Sequence, residues 1–211
     1  AYSFHKRLGS GGFGDVYLCS EEHSGGLMKR VAVKVLRDEV DDAEKALSRL
    51  ADEGRMLAAL NHPAILSMLR LTRLEGRLAL VTDYVAGADV STYTRRGAML
   101  PVRVVLGVVG EVAAALNCAW NTLSPETGRP LHLVHRDIKP ENIRIGQHGR
   151  VMLLDFGIAR TTEVLRQAIT ETGELPFTIG YTAPEVFRRG EFGAPADLFA
   201  LGVTAYRLLT A

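Results

Sequence analysis

Cysteine is scarce in this chain. Cys19 and Cys118 are the only two among 211 residues. They follow no CxxC or Cys/His ligand spacing, so neither a disulfide framework nor a thiolate metal site is indicated, and two buried thiols in a reducing compartment are expected. Charge of one sign is also lacking. Lys and Arg number 25 against 24 Asp and Glu, a formal net charge of +1. Such a balance points to neither a nucleic-acid nor a membrane-surface partner. Long apolar runs are missing too. The most apolar tract, Val104 to Gly110, is closed by Arg103 and Glu111, short of the ~20 residues a membrane span needs. The N-terminus has no signal-peptide pattern, and there are no repeats or low-complexity tracts. A soluble, cytoplasmic chain without membrane contact is the expectation, although a longer parent protein could carry a membrane segment elsewhere. With 47% hydrophobic residues, the composition suits a substantial core in one domain or two small lobes.

Residues 1–40 read as strands. In Val31-Ala32-Val33-Lys34-Val35-Leu36, period-2 geometry puts the three valines on one face and Ala32, Lys34 and Leu36 on the other. Residues 41–60 read as a helix, with Leu47, Leu50, Leu57 and Leu60 at helical spacing and Asn61-His62-Pro63 ending it. Residues 78–85 read as a strand, and the Gly87 break marks a boundary between 1–86 and 87–211. Residues 101–120 are apolar nearly all round, which predicts a buried helix. Residues 121–131 are loop. Two short strands around 142–154 flank a Gln147-His148-Gly149 turn. Residues 158–183 hold no clear period, and a helix runs from about Ala196 to the end.

Gly9-Ser10-Gly11-Gly12-Phe13-Gly14-Asp15-Val16 is a GxGxxGxV run. Glycines let backbone approach phosphates closely and adopt positive φ. On its own the run could equally be a flexible surface turn. A dinucleotide-binding fold would need a helix straight after it, whereas Asp15 to Cys19 continues as a strand. Lys34 shares a face with Ala32 inside an apolar strand, where an unpaired ammonium would be costly. It therefore needs an anionic partner, which Glu53 or bound phosphates can supply. The strongest signal is His135-Arg136-Asp137-Ile138-Lys139-Pro140-Glu141-Asn142. Phosphoryl transfer needs a carboxylate to position a hydroxyl, cations against developing charge, and oxygen ligands for Mg²⁺. This octapeptide offers all three. Asp155-Phe156-Gly157 follows the apolar strand Val151 to Leu154 and adds a second ligand of Mg²⁺ type. Taken singly, it would pass for a chance turn. Ala183-Pro184-Glu185 closes the series, and Asp197 opens the last helix.

In order and spacing these motifs resemble the signature set of eukaryotic-type protein kinases. The resemblance runs along the whole chain. Lys139 is similar to the Ser/Thr branch rather than the tyrosine branch, and Asp-Phe-Gly-Ile-Ala-Arg160 looks like bacterial, Hanks-type members. The resemblance implies an α+β, bilobal fold: a small β-rich N-lobe and a mainly helical C-lobe, truncated after the Asp197 helix. It implies ATP and Mg²⁺, with Mn²⁺ as an alternative ion. Gly9, Gly11 and Gly14 would cover the phosphates, and Lys34, held by Glu53, would bind the α and β groups. Val16 and Ala32 would face adenine, with Thr82 as a small gatekeeper. Backbone groups of Asp83 and Val85 would bond the base, and Asp89 would approach the ribose. Asp137 would accept or orient the substrate hydroxyl, Lys139 would contact the γ-phosphate, and Asn142 and Asp155 would hold the metal. Met68, Leu57, Phe156 and His135 would stack as a spine anchored by Asp197. Thr178 would contact Asp137.

Four departures stand out. Arg144 occupies the position of an aliphatic residue under adenine, and its stem is expected to cover the ring with the guanidinium in solvent. Phe177 replaces a glycine. The loop before His135 is longer than usual. The chain stops at Ala211, without the family's last helices and the arginine expected to pair with Glu185. Arg136, directly before Asp137, goes in this family with control by a charge on the activation segment, where Thr161, Thr162, Thr170, Thr172 and Glu174 are candidates. The expected partners are proteins with Ser or Thr acceptors, with a dimer as a candidate arrangement for autophosphorylation. A pseudokinase or ATP-binding scaffold and a small-molecule kinase are the alternatives.

Overall fold

The computed structural model describes residues 1–11, 14–23, 25–36, 58–156, 179–189 and 192–210. Of the expected helix at 41–60, residues 41–57, with Glu53 and Leu57, lie outside the described residues, as does the stretch from Gly157 to Thr178. The chain divides into two compact units, residues 1–58 with 67–84, and residues 59–66 with 85–211.

The first unit is an antiparallel five-stranded sheet, ordered β1-β2-β3-β5-β4. The strands are β1 (Tyr2–Gly11), β2 (Gly14–Glu22), β3 (Met28–Leu36), β4 (Met68–Leu74) and β5 (Arg77–Asp83). Alternation in β3 decides its faces. Val31 and Val33 are wholly buried with Cys19, Ala79 and Val81, and Val35 packs against that cluster. Burying a valine contributes roughly 1.5–3 kcal/mol, so a one-residue slip of β3 would expose this set and is strongly disfavoured.

The second unit holds a three-stranded sheet, β6 (Gly87–Asp89), β7 (Ile143–Gly146) and β8 (Val151–Leu153), in that order. Its helices are α1 (Ser91–Thr94), α2 (Val102–Asn121), α3 (Pro184–Arg189) and α4 (Ala194–Thr210). The segment 59–66, assigned above to the first lobe, joins this unit. Leu153 donates its N–H to Ala64 O at 2.7 Å, and Leu66 donates to Leu153 O at 3.1 Å.

Helix α2 corrects one expectation. It is not buried all round. Val105, Val108, Val112, Ala115, Leu116 and Ala119 form the buried stripe, packed on α4 and β8. Val102 and Leu106, on the other side, are 61% and 66% exposed. A single 3.6-period face meets the core, and valine content alone does not reveal which face. By length and composition α2 is long enough and apolar enough to cross a membrane, which for a single helix is weak evidence; 33% of its apolar window is buried inside the fold. Helix α4 likewise buries Ala200, Leu201 and Leu208 and exposes Leu198, Phe199, Tyr206 and Leu209.

Candidate active site

On the first unit, Gly9, Gly11 and Gly14 lie at one end of the β1–β2 pair, where Gly9 pairs with Val16 and Gly11 with Gly14. Gly14 has a φ of +148°, and a Cβ there would lie 2.1 Å from Val35 O, so only glycine fits. Register then assembles one face of the sheet. Val16 lies opposite Lys34, and Lys34 opposite Leu80. Leu18 lies opposite Ala32, and Ala32 opposite Thr82. Directly opposed residues share a face, so Val16, Ala32, Lys34 and Thr82 project together from the side away from the valine core. Asp83 ends β5 and pairs with Lys29 at 2.7 Å.

On the second unit, Asp137, Lys139 and Asn142 are drawn around one carboxylate oxygen. Asn142 Nδ2 donates to Asp137 Oδ2 at 2.9 Å and to Asp137 O at 2.7 Å. Lys139 Nζ lies 3.0 Å from the same Oδ2. The Asn142 amide nitrogen is thus spent on Asp137, which leaves its Oδ1 as a hard acceptor. Leu154 donates its N–H to Asn142 O at 2.8 Å, which brings the Asp155 segment beside this loop. Asp155 is exposed and has a φ of +51°. Such left-handed backbone is uncommon for a side-chain-bearing residue.

His135 is fully buried beneath Asp137. Its ring lies 4.7 Å from that of Phe156. Nε2 meets Leu154 O at 2.8 Å, and Nδ1 receives the Asp137 N–H at 3.3 Å. A ring that donates at Nε2 and accepts at Nδ1 is neutral. Burial accordingly pushes the His135 pKa down, against the opposing pull of Asp197, the Leu154 bond, Asp137 and Asp155. Asp197 accepts the backbone N–H groups of His135 and Arg136 at 2.6 and 2.8 Å. Burial raises the Asp197 carboxyl, while His135, those two N–H bonds and Arg136 pull it back.

Arg144 departs from expectation. Its guanidinium does not lie in solvent. Nε donates to Val85 O at 2.8 Å, Nη2 to Gly87 O at 2.6 Å and Nη1 to Asp89 Oδ1 at 2.6 Å. The expectation failed because it treated Arg144 alone, whereas the β6–β7 register sets it opposite Asp89.

Among the described residues no group of three or more His, Cys, Asp or Glu side chains is placed to hold a metal. Asn142 and Asp155 offer two hard oxygens. Such a sparse set fits Mg²⁺, which keeps waters and takes its remaining ligands from substrate phosphates. Sequence reasoning missed the strand β6, read only as a break at Gly87, and the Arg144 fork. The alternation of residues 85, 87 and 89 was the one signal that could have found the fork.

A glycine hairpin with a lysine-bearing face on one unit, and an Asp–Lys–Asn loop bonded to the strand end before Asp155 on the other, are parts of the kind that phosphoryl transfer requires. The chain belongs to the protein kinase domain family, which it matches over residues 2–211. It is 36% identical over 213 residues to the serine/threonine-protein kinase PknJ of Mycobacterium tuberculosis, covering 99% of this chain and 34% of that protein. It is 34% identical to the tyrosine-protein kinase MasK of Myxococcus xanthus, covering 99% of this chain and 32% of the relative. The chain thus spans about a third of the length of these relatives. Among solved structures, the kinase domain of M. tuberculosis PknI superposes with a TM-score of 0.69 at 30% identity, over 99% of this chain and 73% of that one.

Proposed function

We propose that this chain is the catalytic core of a Ser/Thr protein kinase that transfers the γ-phosphoryl group of ATP to protein hydroxyls. One observation carries the reading. Asp137 Oδ2 is met at 3.0 Å by Lys139 and at 2.9 Å by Asn142, a carboxylate fixed in orientation beside a cation and a metal-type ligand. Bound Mg²⁺, or Mn²⁺ in its place, would supply charge neutralisation on the phosphates, held by Asn142 and Asp155. Asp137 orients the incoming hydroxyl and takes its proton. Lys139 sits against the charge on the γ-group, and Lys34, with Glu53 as its partner, binds the α and β groups. Gly9, Gly11 and Gly14 let the hairpin backbone approach the phosphates. Val16 and Ala32 offer apolar contact to adenine beside Thr82, backbone groups of Asp83 and Val85 bond its edge, and Asp89 takes the ribose. Protein substrates, autophosphorylation within a dimer and a cytoplasmic site of action belong to the same reading.

The relatives' names divide between Ser/Thr and tyrosine, and Lys139 favours the former. Radiolabelled ATP and a basic protein substrate, followed by phosphoamino-acid analysis, test this. Phosphoserine or phosphothreonine is expected, and phosphotyrosine alone would reassign the acceptor. Asp137→Asn should lower turnover by about 10²–10⁴-fold with nucleotide binding retained. More than a tenth of wild-type turnover in that variant would refute the role given to Asp137. Binding without turnover in the wild type would favour a scaffold.

A further inference from the structure

Arg144 stands directly opposite Asp89 in the β6–β7 pair, so the two side chains leave the same face of the sheet. The guanidinium then reaches three acceptors belonging to alternate residues, Val85 O, Gly87 O and Asp89 Oδ1. Alternate residues of an extended chain recur on one side, and a planar fork of five donors matches such a row. No lysine or leucine could do the same. The fork is partly shielded, with the Arg144 side chain 20% exposed and that of Asp89 34%; its bond to Gly87 O is the exposed one. Charge-assisted bonds of this length are about twice as strong as neutral ones. The backbone is committed to the arrangement. Gly87 has a φ of +157°, and a Cβ there would lie 2.1 Å from Ile145 O. Arg144 engages Oδ1 of Asp89, and Oδ2 of that carboxylate has no protein partner among the described residues.

Resting on the kinase reading above, in which Val85 and Asp89 meet the adenine and ribose of ATP, we propose that Arg144 is a positioning residue that locks residues 85–89 and presets the Asp89 carboxylate to accept the ribose hydroxyls. An aliphatic side chain at this position would give the nucleotide an apolar contact. The arginine gives it an aligned acceptor and a stiffened backbone instead, so the ordering cost is met before the nucleotide arrives. Its effect therefore falls on binding rather than on the transfer step.

The test has two arms on the full chain. The first needs no nucleotide. Amide exchange over residues 85–90 should be faster in Arg144→Leu than in the wild type, with Arg144→Lys in between, because lysine keeps the charge at Asp89 and loses the fork. Equal protection in all three would overturn the lock. The second arm measures equilibrium binding of Mg-ATP and of Mg-2′,3′-dideoxy-ATP. The wild type should favour ATP by about tenfold, the scale of a hydrogen bond to a charged group. Arg144→Leu should bring that preference close to unity, raise KM for ATP and leave kcat within about twofold. In an Asp89→Asn background, Arg144→Leu should no longer change the preference, because the two residues act as one unit. A gain in ATP affinity in Arg144→Leu would mean that the arginine competes with the nucleotide, and would overturn the proposal. So would a preference that persists, or that falls equally in both backgrounds. Should Arg144→Leu fold poorly, Arg144→Lys and Asp89→Asn carry the same comparisons. A wild type that binds neither nucleotide would sink the kinase reading itself, and the ribose half of this inference with it, while the exchange arm still decides the lock.

Discussion

Asp197 reaches back sixty-two residues to accept the backbone N–H of His135 at 2.6 Å, and takes the N–H of Arg136 at 2.8 Å with its other oxygen. Arg136 has a φ of +68°, so this carboxylate holds the loop in a conformation that a side-chain-bearing residue adopts reluctantly. The helix that carries Asp197 is therefore coupled to the geometry of Asp137, one residue further on.

Asp197→Ala should destabilise the chain by about 2–4 kcal/mol, since two N–H groups lose their acceptor in a buried setting. Asp197→Asn keeps one carbonyl acceptor and should cost less. Urea unfolding gives the order directly. Equal stability of Ala and wild type would mean that water replaces the carboxylate without loss.

The neutral His135 ring predicts a pH dependence. Its folded pKa lies below the ordinary value of 6.5 because burial opposes the charged form. As pH falls below that value, the unfolded chain takes up a proton that the folded chain refuses, and stability drops by up to about 1.4 kcal/mol per pH unit. The loss continues until the folded pKa is reached. Asp197 has the opposite sign. Its carboxyl is raised above 3.8, so its contribution is complete below that value and is lost as pH rises through the folded pKa. The two groups thus move stability in opposite directions with pH, and removing the His135 ring isolates its share. Unfolding at about pH 7.5 and pH 5.5 should show a shallower slope for His135→Phe than for the wild type. Matching slopes would mean that His135 titrates alike in both states.

Much of this was legible in the sequence. The alternation of Val31, Val33 and Val35 against Ala32 and Lys34 predicted both faces of β3, and the burial follows it. Local spacing likewise brought Asp137, Lys139 and Asn142 together, because one turn of chain connects them. Arg144 and Asp89 were harder. They lie fifty-five residues apart, and only the strand register makes them neighbours. The exposed side of α2 was illegible for a related reason. Apolar residues surround that helix, and only its partners choose a side.

Gly87 and Gly128 make a controlled pair. Both have positive φ, +157° and +65°. A Cβ at Gly87 would meet Ile145 O at 2.1 Å, whereas one at Gly128 would meet nothing within 4 Å. Gly128→Ala should cost about 1 kcal/mol, the conformational term alone. Gly87→Ala should cost at least about 2 kcal/mol more, because the β6–β7 pairing must open. Thermal melts of the two variants decide it. A Gly87→Ala variant as stable as Gly128→Ala would mean that the pair accommodates a methyl group.

Arg136 immediately precedes Asp137, and its guanidinium carbon lies 5.9 Å from the Phe192 ring centroid. Together with Tyr181, Thr182 and Asp197 it lines a small cavity. Arginine binds phosphate bidentately, which makes Arg136 the candidate receptor for a phosphate on the segment between Asp155 and Glu185. Thr161, Thr162, Thr170 and Thr172 are the candidate acceptors; they lie outside the described residues, and the choice among them rests on sequence. Thr170 and Thr172 come closest before Ala183, and Glu174, nine residues before it, supplies a permanent single charge. A phosphate brings about −1.5 to −2 charges and three strong acceptor oxygens, so it should order the segment better than a carboxylate. Autophosphorylation is expected at Thr170 or Thr172, with Glu174 giving a basal rate before it. Peptide mass mapping after incubation with Mg-ATP locates the phosphate. Thr170→Ala/Thr172→Ala should fall to the basal rate, and Glu174→Ala should lower that rate without abolishing activation. Full activity in the double variant, with collapse in Glu174→Ala, would make the carboxylate the switch charge and reverse the order argued here.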